Sequence, residues 1–73
     1  LPCKVGDTVY WCPDLNDRTW ILSAEVTEIF VWHGGQIRLS LPDLNIEPIV
    51  PNAHLFFTRA EAEAALKGEK EDV

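Results

Sequence analysis

Apolar and polar positions alternate most cleanly from Gln36 to Leu41, where Ile37, Leu39 and Leu41 fall on one side and Gln36, Arg38 and Ser40 on the other. A period of two is that of a half-buried strand, so this stretch predicts one. Thr8 to Cys12 alternates in the same way, with Val9 and Trp11 opposite Thr8, Tyr10 and Cys12. It ends at Pro13, which cannot donate to a sheet ladder. Thr19 to Trp32 is rich in β-branched and aromatic residues and reads as one bent strand or two joined ones. Its even positions Trp20, Leu22, Ala24 and Val26 are apolar, then Glu28 interrupts and apolar side chains resume at Ile29 and Val31. Such a change of phase predicts a bulge or sharp bend near Thr27 and Glu28, because pairing by twos cannot otherwise keep apolar groups inside.

The connections follow from turn chemistry. His33-Gly34-Gly35 tolerates the positive φ of a tight hairpin. Pro42, Pro48 and Pro51 prevent a long regular element between residues 42 and 52, leaving only brief pairing by Ile46 or by Ile49 and Val50. His54 to Phe57 reads as the last strand, running into a helix that starts after Thr58 and stops at Gly68. Thr58 as N-cap and Glu61 three residues on form a capping box, with Phe57 and Ala62 spaced as its hydrophobic staple. A helix of about two and a half turns is marginal in water, so its Ala/Leu face must dock on the strands.

These elements predict a mainly β domain over residues 1–68: a small, SH3-like, curled antiparallel barrel of four to five strands with one short C-terminal α-helix. An open curled sheet with the helix packed across it is the alternative. Val9, Leu22, Val26, Ile37, Leu39, Phe56 and Leu66 are the expected core. Residues 69–73 read as a frayed acidic tail.

Composition narrows the function. A chain of 73 residues supports one domain, which buries only about 60% of its unfolded surface and favours a binding surface over a deep cavity. Its net charge is −6, and Lys4, Arg18, Arg38, Arg59, Lys67 and Lys70 are scattered among acids. Phosphate backbones need clustered cations, so nucleic acid is not an expected partner. No apolar run is long enough to span a bilayer and no signal peptide opens the chain, so no membrane partner is expected. Cys3 and Cys12 are too few for a disulfide scaffold and read as free thiols of a reducing cytoplasm. Together with His33 and His54 they lack zinc spacing, so neither metal nor other cofactor is expected. The chain has no Met, even at position 1, which reads as a fragment or processed chain with a segment upstream.

Two segments carry a resemblance. Leu1-Pro2-Cys3-Lys4-Val5-Gly6-Asp7-Thr8-Val9-Tyr10 and Phe56-Phe57-Thr58-Arg59-Ala60-Glu61-Ala62-Glu63-Ala64-Ala65-Leu66 together resemble the two ends of a group of small uncharacterised proteins of Gram-positive gut bacteria and their phages. In that group a "PCKVGDTVY"-like start and a "FLTREEAEAAL"-like end bracket a variable β-rich middle. The resemblance covers under a third of the chain. It implies a fold and a phage or mobile-element context, and no functional residue.

The chemistry-bearing residues point away from catalysis. His33 and His54 each lie near a turn without a nucleophile motif, and Glu25 and Glu28 straddle the bend rather than converging. The expected function is therefore a non-catalytic protein-interaction module, binding a protein partner or another copy of itself. Tyr10 and Trp32 are its candidate anchors, and Asp14 and Asp17, in the acidic loop, would steer a basic partner. The alternatives are an acidic protein that mimics nucleic acid to inhibit a basic host protein and, behind it, a small enzyme or thiol/metal protein.

Overall fold

A computed structural model describes residues 2–17 and 19–71, with side chains through residue 65. Its elements are β1 (Thr8–Trp11), β2 (Leu22–Glu25), β3 (Glu28–Val31), a 3₁₀ turn (His33–Gly35), β4 (Ile37–Ser40), β5 (Ile49–Val50), β6 (Leu55–Phe56) and α1 (Arg59–Glu71). They form two three-stranded antiparallel sheets, β2-β1-β6 and β3-β4-β5.

The SH3-like barrel expected from the strand pattern is not formed, and neither is a single curled sheet: each sheet ends in free edges. The break falls at Val26 and Thr27. The amide of Val26 donates to the carbonyl of Asp7 at 2.9 Å, and its carbonyl accepts the amide of Gly6 at 2.7 Å, which keeps this residue with the first sheet. Thr27 then donates to the carbonyl of Ser40 at 3.1 Å, alongside the Glu28–Ser40 pair, and so belongs to the second. The two ladders thus change over between consecutive residues, Val26 pairing only with the first sheet and Thr27 only with the second. Strands of two to four residues are also too short to wrap round and meet.

The sheets share a core. Val9, Ala24 and Leu55 from one sheet meet Leu39 and Leu41 from the other, joined by Cys3 and Val26, with Trp11, Ile29, Ile37 and Val50 packed around them. Of the expected core, Val9, Val26 and Leu39 are buried, while Ile37 is half-buried at the rim. Leu22 and Phe56 are half-buried and outside this cluster. Phe56 pairs with Tyr10, and both lie on the face opposite Val9, so Leu55 is the β6 residue that turns inward. The side chain of Leu66 lies outside the described residues.

The hairpin between β3 and β4 closes through Gly34 and Gly35, at φ 84° and 80°, with the Trp32 amide donating to the Gln36 carbonyl at 2.8 Å. Ile46 and Ile49–Val50 both pair, Ile46 as a single bridge to Leu41 and the others as β5.

The helix continues past Gly68, the expected stop, to Glu71; residues 72–73 lie outside the described residues. A glycine ends a helix only where the chain turns left-handed, and Glu69, Lys70 and Glu71 all favour continuation. At the other end Thr58 Oγ1 accepts the Glu61 amide at 3.1 Å, and Glu61 Oε2 accepts the Phe57 amide at 2.9 Å. The carboxylate thus reaches one residue further back than in the usual box. Thr58→Ala should lower stability by about 1 kcal/mol. An unchanged denaturation midpoint would show that the hydroxyl is not holding the helix end.

Candidate functional site: an open strand edge with an aromatic face

Of the expected site residues, the acidic pair shares one loop and the aromatic pair is divided between the sheets. Asp14 Oδ1 accepts the Asn16 amide at 2.8 Å, and Asp17 Oδ1 accepts the Thr19 amide at 3.3 Å and its hydroxyl. Both carboxylates therefore shape their own turn. Cys12 Sγ closes the loop from below, 3.3 Å from the Asp14 carbonyl. Tyr10 is half-buried on β1, and Trp32 follows β3 and is exposed.

Tyr10 lines an open groove of about 300 Å³ between the outer face of β1-β2 and the start of α1, with Thr19, Ile21, Ser23, Arg59, Ala62 and Glu63. Among the described residues that line it, the one strong cation, Arg59, is paired with Glu63 at 3.2 Å. The groove presents hydroxyls and a neutralised ion pair, with no convergent charge.

The thiols and imidazoles lie outside this groove. Cys3 and Cys12 are buried and free. Burial pushes the Cys3 thiol above its ordinary range, and the Asp7 carboxylate adds to the effect. His54 stacks on Trp11, with ring centroids 5.1 Å apart, and its Nδ1 lies 2.8 Å from the Cys12 carbonyl. Among the described residues no three His, Cys, Asp or Glu side chains are grouped to hold a metal ion, and no helix is long and apolar enough to cross a membrane. Several of the described carboxylates are engaged separately. Asp7 accepts the Lys4 amide, Asp43 accepts that of Glu25, Glu47 lies near Arg38 and Glu61 caps the helix.

The four sheet edges differ in a way that singles one out. Exposed edges template unwanted pairing unless something blunts them. On β2 the outward amide of Glu25 is occupied by Asp43 Oδ2 at 3.2 Å. β5 is two residues long and lies between Pro48 and Pro51. β6 is also two residues long and is followed by the helix cap. β3 is four residues long, carries neither Pro nor Lys, and among the described residues has no side chain bonded along its free edge. Phe30, Val31 and Trp32 on and just after it are all exposed, Val31 at 59% and Trp32 at 42%.

The face beside that edge is equally unusual. Phe30, Arg38 and Ile49 stand in one row across β3, β4 and β5. Trp32, two residues on from Phe30, lies with its ring centroid 6.2 Å from the Phe30 ring, and the Arg38 guanidinium carbon sits 4.5 Å over the indole. Arg38 Nη1 is 4.0 Å from Glu47 Oε1, a long contact, and Nε is shut off from solvent without a hydrogen-bond partner. The guanidinium is therefore held in place by packing more than by charge. Phe30, Arg38 and Ile49 were not among the residues expected from sequence. The signal was the alternation Glu28, Phe30, Trp32 after the phase change, which assigns those three side chains to the face opposite Ile29 and Val31.

The chain matches no protein-family model, no curated protein and no solved structure, so the reading of this surface rests on its own geometry.

Proposed function

We propose that this protein is a non-catalytic interaction module that takes an extended strand of a protein partner onto the free edge of β3. The observation that carries the reading is the contrast among edges: three are blunted by an acceptor side chain, by prolines or by brevity, and β3 is long, apolar and open. In an antiparallel sheet alternate residues direct their backbone groups to opposite sides. Trp32 bonds to Gln36 and Phe30 pairs with Arg38, so Ile29 and Val31 offer their amides and carbonyls outward. An incoming strand gains main-chain hydrogen bonds there and covers Phe30 and Trp32 with its side chains. Trp32 keeps its expected role as an anchor; Tyr10, Asp14 and Asp17 belong to the other sheet and its loop and take no part. The resemblance of both chain ends to phage-associated proteins favours a phage or mobile-element setting for this interaction.

The test is capture from the native host with the wild-type chain, Val31→Lys and Trp32→Ala. Lysine at an edge position is a device that natural sheets use to repel strands, and Val31 is exposed enough to accept it. Proteins retained by the wild type and lost with both variants are the expected result. Equal retention by all three chains would remove β3 as the binding edge.

A further inference from the structure

We infer that the strand received by β3 is β3 of a second copy, paired antiparallel about a two-fold axis at Phe30. This inference rests on the strand-addition reading above and specifies the partner. A two-fold interface must be self-complementary, each residue meeting its counterpart in reverse order. Ile29 and Val31 are the residues with outward backbone groups, so the symmetric register that lets them bond is Ile29 opposite the partner's Val31 and Val31 opposite the partner's Ile29. About four main-chain hydrogen bonds result. Phe30 then faces the partner's Phe30, and Trp32 faces the partner's Glu28, at the close approach of a non-hydrogen-bonded pair.

Charge favours this register. Glu28 is exposed at the start of β3 and has no ion-pair partner in the described chain. In the dimer the partner's Glu28 lies against Trp32, over whose ring the incompletely paired Arg38 is held. The symmetry repeats that contact, joining each Glu28 to the other copy's Arg38. Sliding the register by two residues instead sets Phe30 opposite the partner's Glu28, or opposite the partner's Trp32 with Glu28 beyond the end of the pairing. The net charge of −6 on each copy opposes association, but charges further apart than about 8 Å are largely screened at physiological ionic strength. A four-residue edge makes a weak dimer, one that forms as concentration rises.

The experiment is sedimentation equilibrium of the full chain from about 10 µM to about 1 mM, for wild type, Glu28→Arg, Arg38→Glu, the double variant carrying both, and Val31→Lys. The wild type should pass from monomer to dimer. Each single charge reversal should weaken association by about tenfold or more, because it acts at two equivalent contacts, and the double variant should return to within about threefold of wild type. Val31→Lys should remain monomeric. Amide exchange should slow with concentration at Ile29 and Val31 and at no other strand residue. A wild-type chain that stays monomeric throughout overturns the dimer, and so does a double variant no better than its parents. Neither result touches strand addition by another protein, which the capture comparison decides separately.

Discussion

Leu39→Ala should cost about 3 kcal/mol, within the range of about 2 to 5 found for truncating a buried leucine. Leu39 is fully buried on the central strand of its sheet, paired with Ile29, and its amide donates to the Pro48 carbonyl at 3.0 Å. Neighbours on both sides are held by ladders, so the site cannot collapse around the missing atoms and the cavity term stays large. A domain of this length has roughly 4 to 11 kcal/mol to lose, so the variant gives up between about a quarter and three quarters of its stability. Denaturant titration reads the effect as a fall in midpoint with little change in slope. Leu44→Ala, at a half-buried turn position, should cost clearly less. Equal losses at the two sites would mean that the sheets do not share the core described above.

Leu39 also marks what the sequence makes legible. Its place between Arg38 and Ser40 in a strict alternation leaves only one face for it, and the change of phase after Val26 locates the break between sheets. Alternation states which side chains face inward along one strand. It does not state which strands pair, nor whether the outer ones meet. The pairing of Tyr10 with Phe56 joins residues far apart in the chain, and nothing local to either specifies it. The barrel expectation failed at that step: the same alternation fits a closed barrel and two facing sheets, and the shortness of the strands together with the hydrogen bonds of Val26 and Thr27 decides for the sheets. The aromatic face was half legible: alternation sets Phe30 and Trp32 opposite Ile29 but does not state which of the two faces is covered. A phenylalanine in a short apolar run counts as core by default, and Phe30 faces out only because Ile29 and Ile37 already occupy the inner side.

Ala62→Asp should detach the helix while leaving the sheets folded. Ala62 is 2% exposed, yet it does not belong to the core cluster between the sheets. It is buried on the opposite face of β1 and β6, beside Tyr10 and Ser23 in the groove. Aspartate is too short to carry its charge from there to solvent, and an unpaired buried carboxylate costs several kcal/mol. Undocking limits that cost to whatever the helix gains by docking, so the expected loss is about 3 kcal/mol, confined to α1. A 13-residue helix released from its support is marginal in water, so the dichroism near 222 nm should fall even though Thr58 and Glu61 still cap it. Methyl signals of Leu39 and Leu41, across the other face of the sheet, should keep their positions. Ala64→Asp, at an exposed position of the same helix, changes stability by no more than about 0.5 kcal/mol and serves as the control for charge and propensity. If the two variants keep the same helical signal and the same midpoint, α1 is not held through Ala62, and the groove beside Tyr10 is not a fixed feature of the protein.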